Sequence, residues 1–371
     1  MTKILFFIPT LSHGGAEKVL VNLVNHLNRE KYDITVQALF DGGVNKQFLK
    51  PHIKTKFVFK KIFPGNSKLL ALFPPKLLYK LFIKEHFDII VSYLEGPTAR
   101  IVSGCNDKDT KLVSWIHCRM ESEKAGAVGF RSFKEAKKCY NKFDYTACVS
   151  QWVKDYFIKI FDFKKPIGVL YNTIETDEII AKSSEKIDDI VFDNDTFNII
   201  SVGKIIAVKA FMRLARIHKR LIDAGIKNHI YILGVGDEQP KIEKYLDDNN
   251  LTDSFTFLGY NTNPYKYVKA CDLYVCSSLS EGFSTSVTES LIVGTPVVTT
   301  LCSGMQEMLG ENNEYGIVTE NNEDSLYEGI KSLLDNPDLL AHYKKQAEIR
   351  GKAFSTSITV QEVEKMLEDL R

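Results

Sequence analysis

Residues 273–298 read LYVCSSLSEGFSTSVTESLIVGTPVV, and the fold of the chain turns on this stretch. Leu273–Cys276 is a short apolar run, the size of a buried strand. A turn rich in hydroxyls follows, and Val287, Leu291 and Ile292 then mark one face of a helix that begins near Ser284 or Thr285. Gly294 ends the helix, and Pro296–Thr300 is a second apolar run. Strand, helix and strand in direct succession describe a parallel pair with a helical crossover.

The same unit recurs on both sides. Upstream in the second half, Asn198–Val202, His229–Leu233 and Phe255–Leu258 read as strands. Ala210–Ala224 and the segment near Pro264–Ala270 read as helices. In the first half, strands are expected at Lys3–Ile8, Ile34–Leu39, Ile89–Tyr93, Lys111–Ile116, Tyr145–Val149 and Gly168–Tyr171. Ala16–Leu27 and Gln151–Phe161 are expected as helices. Such alternation predicts parallel sheets covered on both faces. With 371 residues, one core is too few. The polar, Asp-rich run 175–198 reads as a connector. The expected organisation is therefore an α/β chain of two doubly wound, Rossmann-like domains, 1–180 and 181–351, with the last helix, within 352–371, packing back on the first. Ligands in such folds bind at the carboxyl ends of the strands.

Composition narrows the function. Charged residues make up 26% and apolar residues 44%, both ordinary for a globular chain. The seven cysteines form no CxxC pair and are expected to be buried thiols in a reducing compartment. No apolar run reaches the ~18 residues that span a bilayer, and no targeting segment is visible. The expected location is cytoplasmic, with peripheral attachment to the inner face of the membrane. The net charge of +1 conceals a split: residues 1–180 hold 28 Lys+Arg against 18 Asp+Glu, and the remainder 20 against 29. Eight lysines between Lys54 and Lys84 alternate with Phe, Leu and Ile, which suits an anionic membrane surface as well as it suits a solvated face over an ordinary core. No recognition motif accompanies the charge, so nucleic acid is not expected as a partner.

The turn 280–286 carries the chemistry. Ser284, Thr285 and Ser286 are good N-caps, and the first-turn amides of Thr285, Ser286 and Val287 are expected to point outward, a natural seat for a diphosphate. Glu281 precedes the turn and Glu289 lies about one turn inside the helix, so the two acids bracket the helix start. Carboxylates beside a diphosphate are repelled unless they reach past it to hydroxyls, and a ribose diol and a sugar supply those. An acid near a helix start also favours the macrodipole; that covers Glu289 but not Glu281-Gly282-Phe283. Gly234-Val235-Gly236 is a GxG without its third glycine and reads as a tight turn. Asp193-Asn194-Asp195 has the form of a DxD metal motif but lies in an acidic run, and reads as solvated charge.

With Glu281 and Glu289 eight positions apart inside SSLSEGFSTSVTESLIVGTPVV, the chain resembles the retaining family-four glycosyltransferases, which have the GT-B fold of two facing doubly wound domains with a cleft between them. Ser201-Val202-Gly203-Lys204, Lys209, Leu233-Gly234-Val235-Gly236-Asp237 and Ser303-Gly304-Met305-Gln306-Glu307 extend the likeness. In the first half it rests on Gly14-Gly15-Ala16-Glu17, Ile116-His117 and Tyr171-Asn172. The resemblance implies a nucleotide-sugar donor, a UDP-sugar ahead of a GDP-sugar, and a saccharide acceptor, lipid-linked, in surface polysaccharide synthesis. It implies that Lys204 and Lys209 meet the diphosphate, with Gly15, Gly282, Phe283, Ser284, Thr285 and Ser286 completing the donor site. Glu289 is then placed on the ribose, Glu281 on the transferred sugar, and His117 at the reaction centre. No metal or other cofactor is implied. The family usually has Arg at 204 and Gly at 210, where this chain has Lys204 and Ala210. Two other readings are a nucleotide-sugar epimerase and a non-catalytic partner with a glycosyltransferase fold.

Overall fold

A continuous apolar strand opens the chain. In β1 (Thr2–Ile8) every residue from Ile4 to Ile8 is fully buried, as a strand covered on both faces requires. It pairs in parallel with β2 (Tyr32–Phe40), and β2 with β3 (Lys54–Phe59). On its other side β1 pairs with β4 (Ile89–Tyr93), followed outward by β5 (Lys111–Ile116), β6 (Tyr145–Cys148) and β7 (Ile167–Val169). The order is β3-β2-β1-β4-β5-β6-β7.

The second sheet repeats the plan with β8 (Phe197–Val202), β9 (Asn228–Leu233), β10 (Phe255–Gly259), β11 (Leu273–Cys276), β12 (Val297–Thr300) and β13 (Ile317–Thr319). Its order is β10-β9-β8-β11-β12-β13. Winding reverses between β1 and β4, and again between β8 and β11. At such a switch point the crossover helices leave to opposite faces and open a crevice at the carboxyl ends of the strands.

This computed structural model describes residues 1–371 except His13, Asn194, Gly282, Ser303 and the side chain of Lys68. Two compact units divide the chain: Met1–Ile174 with Thr356–Arg371, and Glu175–Ser355. In the second, Leu214, Ile217 and Leu221 of helix Phe211–Asp223 pack with Ile199, Ile230 and Val275 of the sheet and with Leu326 and Ile330 of helix Glu323–Leu334. Each such side chain contributes about 1.5–3 kcal/mol by leaving water.

Three expectations need correction. Residues 175–198 are not a bare connector: Thr176–Ser183 is a helix that buries Ile179, and Asn263 Nδ2 donates to Lys182 O at 2.9 Å, tying it to the second unit. Lys54–Phe59, read only as cationic and apolar, is the edge strand β3, whose residues stay exposed or half-exposed because one side of an edge has no neighbour. All seven cysteines are free and six are buried, but Cys118 is exposed.

Candidate functional site

In the second unit, the switch point is built from the ends of β8 and β11. Beyond β8 the backbone passes Gly203 close under Gly234: a Cβ on Gly234, where φ is +154°, would lie 1.9 Å from Gly203 O. Likewise a Cβ on Gly236 would meet Ile205 O at 2.1 Å. The Gly234-Val235-Gly236 turn thus serves close packing of two loops. The chain then makes a single turn, Ala207–Lys209, and enters helix Phe211–Asp223 through Ala210 at φ +51°, ψ +39°. That is a left-handed conformation in which Cβ crowds the carbonyl. Glycine would sit there without strain.

Beyond β11, Ser277 and Ser278 begin the loop that carries Glu281. Ser277 Oγ donates to Lys209 O at 2.8 Å, and Leu279 N to Val208 O at 2.8 Å, so the two loops are clamped together. This brings Lys209 Nζ to 2.5 Å from Glu281 Oε1, and Ser278 Oγ donates to the same oxygen at 2.6 Å. Both ion-pair partners are largely buried, so salt screens the pair less than it would a surface one. Lys209 is therefore engaged with an acid, and the pair is fixed by a hydroxyl.

Ser284 caps helix Thr285–Ile292 by accepting the Val287 amide at 3.4 Å. Of the three amides expected to point outward, Val287 is accordingly taken by the cap, and Thr285 and Ser286 are left without helical acceptors. Tyr274, buried, donates to Ser286 Oγ at 2.9 Å, and burial raises its phenol well above the ordinary range. Ser201, Lys209, Tyr274, Ser278, Glu281 and Ser286 line one small pocket at this helix start. Phe283 is buried with its ring 6.1 Å from that of Phe354, edge to face, which anchors the loop. Glu289 accepts from Tyr265 OH at 3.2 Å. Lys204 is exposed on the loop after β8. Gly282 lies outside the described residues.

In the first unit, Gly15 opens helix Gly15–His26, and a Cβ there would meet nothing within 4 Å. The crowded glycine is Gly14, where a Cβ would collide with the Glu17 carboxylate. His117 follows β5. It is buried, its Nε2 has no hydrogen-bond partner among the described residues, and burial pulls its pKa down to about 3, so the ring is neutral at pH 7. Tyr93 lies beside it with ring centroids 4.8 Å apart. The sequence reading passed over Glu95, two residues beyond β4. Its carboxylate accepts the His117 amide at 3.0 Å, with Cys118 donating as well, while burial drives its pKa up. An acid directly after an apolar strand was the available signal, the same one that singled out His117.

Two parallel, doubly wound units, one after the other along the chain, give it GT-B architecture. The comparisons agree. "Glycosyltransferase Family 4" matches residues 13–178 and "Glycosyl transferases group 1" matches residues 182–350. Over 370 residues the chain is 34% identical to the Campylobacter jejuni N-acetylgalactosamine-N,N'-diacetylbacillosaminyl-diphospho-undecaprenol 4-alpha-N-acetylgalactosaminyltransferase, covering 95% of this chain and 96% of that one. Among solved structures, Anabaena HepE in complex with UDP superposes with a TM-score of 0.78 at 18% identity, covering 99% and 100%. The lipopolysaccharide outer core galactosyltransferase WaaB does so with 0.75 at 17%, covering 99% of each chain. The chain belongs to glycosyltransferase family 4: it is a transferase that moves a sugar to an acceptor.

Proposed function

We propose that this enzyme takes its sugar from a UDP-sugar, keeps the configuration at the anomeric carbon, and delivers it to a saccharide carried on a lipid, working peripherally at the cytoplasmic face of an anionic membrane during surface polysaccharide synthesis. The observation that carries the donor site is the juxtaposition of the Lys209–Glu281 pair, bonded by Ser278, with the start of helix Thr285–Ile292, whose first-turn amides have no acceptor within the helix. As the sugar leaves, negative charge grows on the departing diphosphate. Lys204, Lys209 and those amides meet that charge with preformed dipoles and cations. Lysine acts there as a point charge without the fork of arginine. Glu281, already tied down, accepts from hydroxyls of the transferred sugar, and Glu289 from the ribose. Phe283 and Ser284 hold the loop and the helix start, and Gly15, where a Cβ would meet nothing within 4 Å, leaves the backbone open to the ligand.

His117, neutral and with one ring nitrogen uncommitted, suits a hydrogen bond to the sugar and does not suit a cationic role. The UDP preference is supported by the likeness to HepE, whose structure holds UDP, and the lipid-linked acceptor by the relative that acts on a diphospho-undecaprenol saccharide. No metal is expected in the reaction. The test is a thermal-shift series with UDP, GDP and their sugars, followed by transfer with a chelator present and assignment of the new linkage from the anomeric coupling constant. Stabilisation by UDP-sugars and an unchanged anomeric configuration are expected. Inversion, preference for GDP, or conversion of the donor without acceptor would each overturn part of the reading.

A further inference from the structure

Glu289 stands where its own helix gives an acid no support. Helix Thr285–Ile292 has eight residues and no acid in its first turn; Glu289 opens the last turn, where the dipole disfavours negative charge. What holds the carboxylate comes from another element, the segment between β10 and β11. There the chain passes Pro264 and forms helix Tyr265–Ala270, whose six residues are too few for a helix to stand by its own hydrogen bonds. Its surroundings fix it instead. Asn263 Nδ2, just ahead of it, donates to Lys182 O and to Glu185 Oε2, each at 2.9 Å. Tyr267 OH donates to Asp189 Oδ2 at 2.6 Å, and Thr295 Oγ1 donates to Val268 O at 2.9 Å. Anchored in this way, the helix buries Tyr265, and the phenol donates to Glu289 Oε1 at 3.2 Å. A phenylalanine of the same shape would fill this space with no polar group to satisfy. The hydroxyl is burdensome when buried, and it is placed on the acid.

This contact changes what the acid can do. A glutamate side chain turns about three bonds, and Glu289 is only half-buried, so an untethered carboxylate would take several positions. Capture of two neighbouring hydroxyls asks for both carboxylate oxygens in one plane, each facing one donor. Holding Oε1 from behind fixes that plane before a ligand arrives, so the ordering is complete before binding. Selectivity follows from the same restraint. A carboxylate that cannot swing away keeps its orientation when the hydroxyls are missing, and a site built to bond a hydroxyl rejects the analogue that lacks it. Without the tether the acid relaxes, and the rejection weakens.

We propose that Tyr265 fixes Glu289 for the two hydroxyls of the nucleotide ribose, and so sets the preference of the donor site for ribonucleotides over their deoxy counterparts. Tyr265 is a positioning residue: it acts through Glu289, and its role rests on the reading of Glu289 as the acid that meets the ribose.

Titration of the full chain with UDP and with 2',3'-dideoxy-UDP, which lacks both hydroxyls, tests this by ligand-observed NMR, a method that reaches weak affinities. GDP and its dideoxy form, which differ in the base alone, are titrated alongside. Tyr265→Phe is expected to weaken UDP about five-fold and to leave dideoxy-UDP within about two-fold of the parent. Glu289→Gln is expected to weaken UDP about ten-fold or more and likewise to spare dideoxy-UDP. In that background Tyr265→Phe is expected to add nothing. The unchanged dideoxy affinity also verifies that the variants are folded. Equal losses on both ligands in Tyr265→Phe would mean that the phenol supports the pocket as a whole and not the ribose, and would overturn the proposal. So would a Tyr265→Phe chain that loses nothing on UDP while Glu289→Gln still separates the two ligands; the ribose reading then stands without its positioning residue. If Glu289→Gln itself fails to separate them, the ribose reading falls, and the role of Tyr265 falls with it.

Discussion

Replacing Ala210 by glycine separates strain from function at one of the two positions, 204 and 210, where this chain departs from the pattern it otherwise resembles. Ala210 joins the turn bearing Lys209 to helix Phe211–Asp223 and sits at φ +51°, ψ +39°. For an L-residue that conformation costs roughly 1–2 kcal/mol, and glycine removes the cost. Against it, glycine widens the unfolded ensemble by about 0.4–1 kcal/mol. Net stabilisation of about 0.5–1 kcal/mol is expected, which for a unit of this size is a rise of about 1–4 °C in melting temperature. Urea unfolding followed by tryptophan fluorescence and circular dichroism reads the free energy, and Ala210→Val, with a branched side chain at the same φ, should move it the opposite way. Turnover in Ala210→Gly should stay within about two-fold, since Lys209 already reaches Glu281 with alanine in place. A glycine variant less stable than the parent, or one with turnover raised ten-fold, would refute the argument that the backbone already adopts the geometry glycine favours.

Three further outcomes follow from the same geometry. With Glu281 proposed to address the sugar, Glu281→Ala is expected to abolish transfer while leaving UDP stabilisation largely intact; turnover at the parent level would remove that role. Glu95→Ala should cost about 100-fold in kcat by releasing the peptide that carries His117, with donor affinity unchanged, and should not add to His117→Ala in a double-mutant cycle. Additive losses would show that the two residues act independently. His218 is wholly buried, with ring nitrogens 2.7 Å from Asn228 Oδ1 and 2.8 Å from Ser254 Oγ, and burial lowers its pKa to about 4. Unfolded, it takes up a proton below about 6.5. The unfolded state therefore binds more protons between pH 6.5 and 4, and stability, complete above 6.5, should fall as pH drops through that window. A flat pH–stability curve there, or one that His218→Gln leaves unchanged, would contradict this.

Much of this molecule was readable from the order of its residues, for reasons that differ by element. Buried parallel strands such as β1 and β11 announce themselves because both faces are covered and every position is apolar. Helix Thr285–Ile292 was legible through Ser284, although the same hydroxyl that marks the start also consumes the Val287 amide. The edge strand β3 was not, because Lys54 and Lys56 look like surface when half of each position is indeed outside. Helix Thr176–Ser183 escaped because it turns few apolar residues inward and its partner, the segment around Asn263, lies far along the chain. Glu95 escaped for a related reason. Its place just after an apolar strand is a local signal, but its role comes from the amide of His117 beyond the neighbouring strand, a contact that signal does not encode.

Helix Thr356–Asp369 completes a core begun by the first residues of the chain: Val363 and Leu367 are buried in it, Thr356 Oγ1 donates to Ile174 O at 2.7 Å, and Glu364 accepts the Asn28 amide at 2.7 Å. During synthesis, then, the unit made first must wait, one wall missing, while the whole of the second emerges and folds. A shortened gene product lacking residues 356–371 would injure the opposite end of the polypeptide from the cut. Fusing a tag at the C-terminus tests the stability of the N-terminal unit.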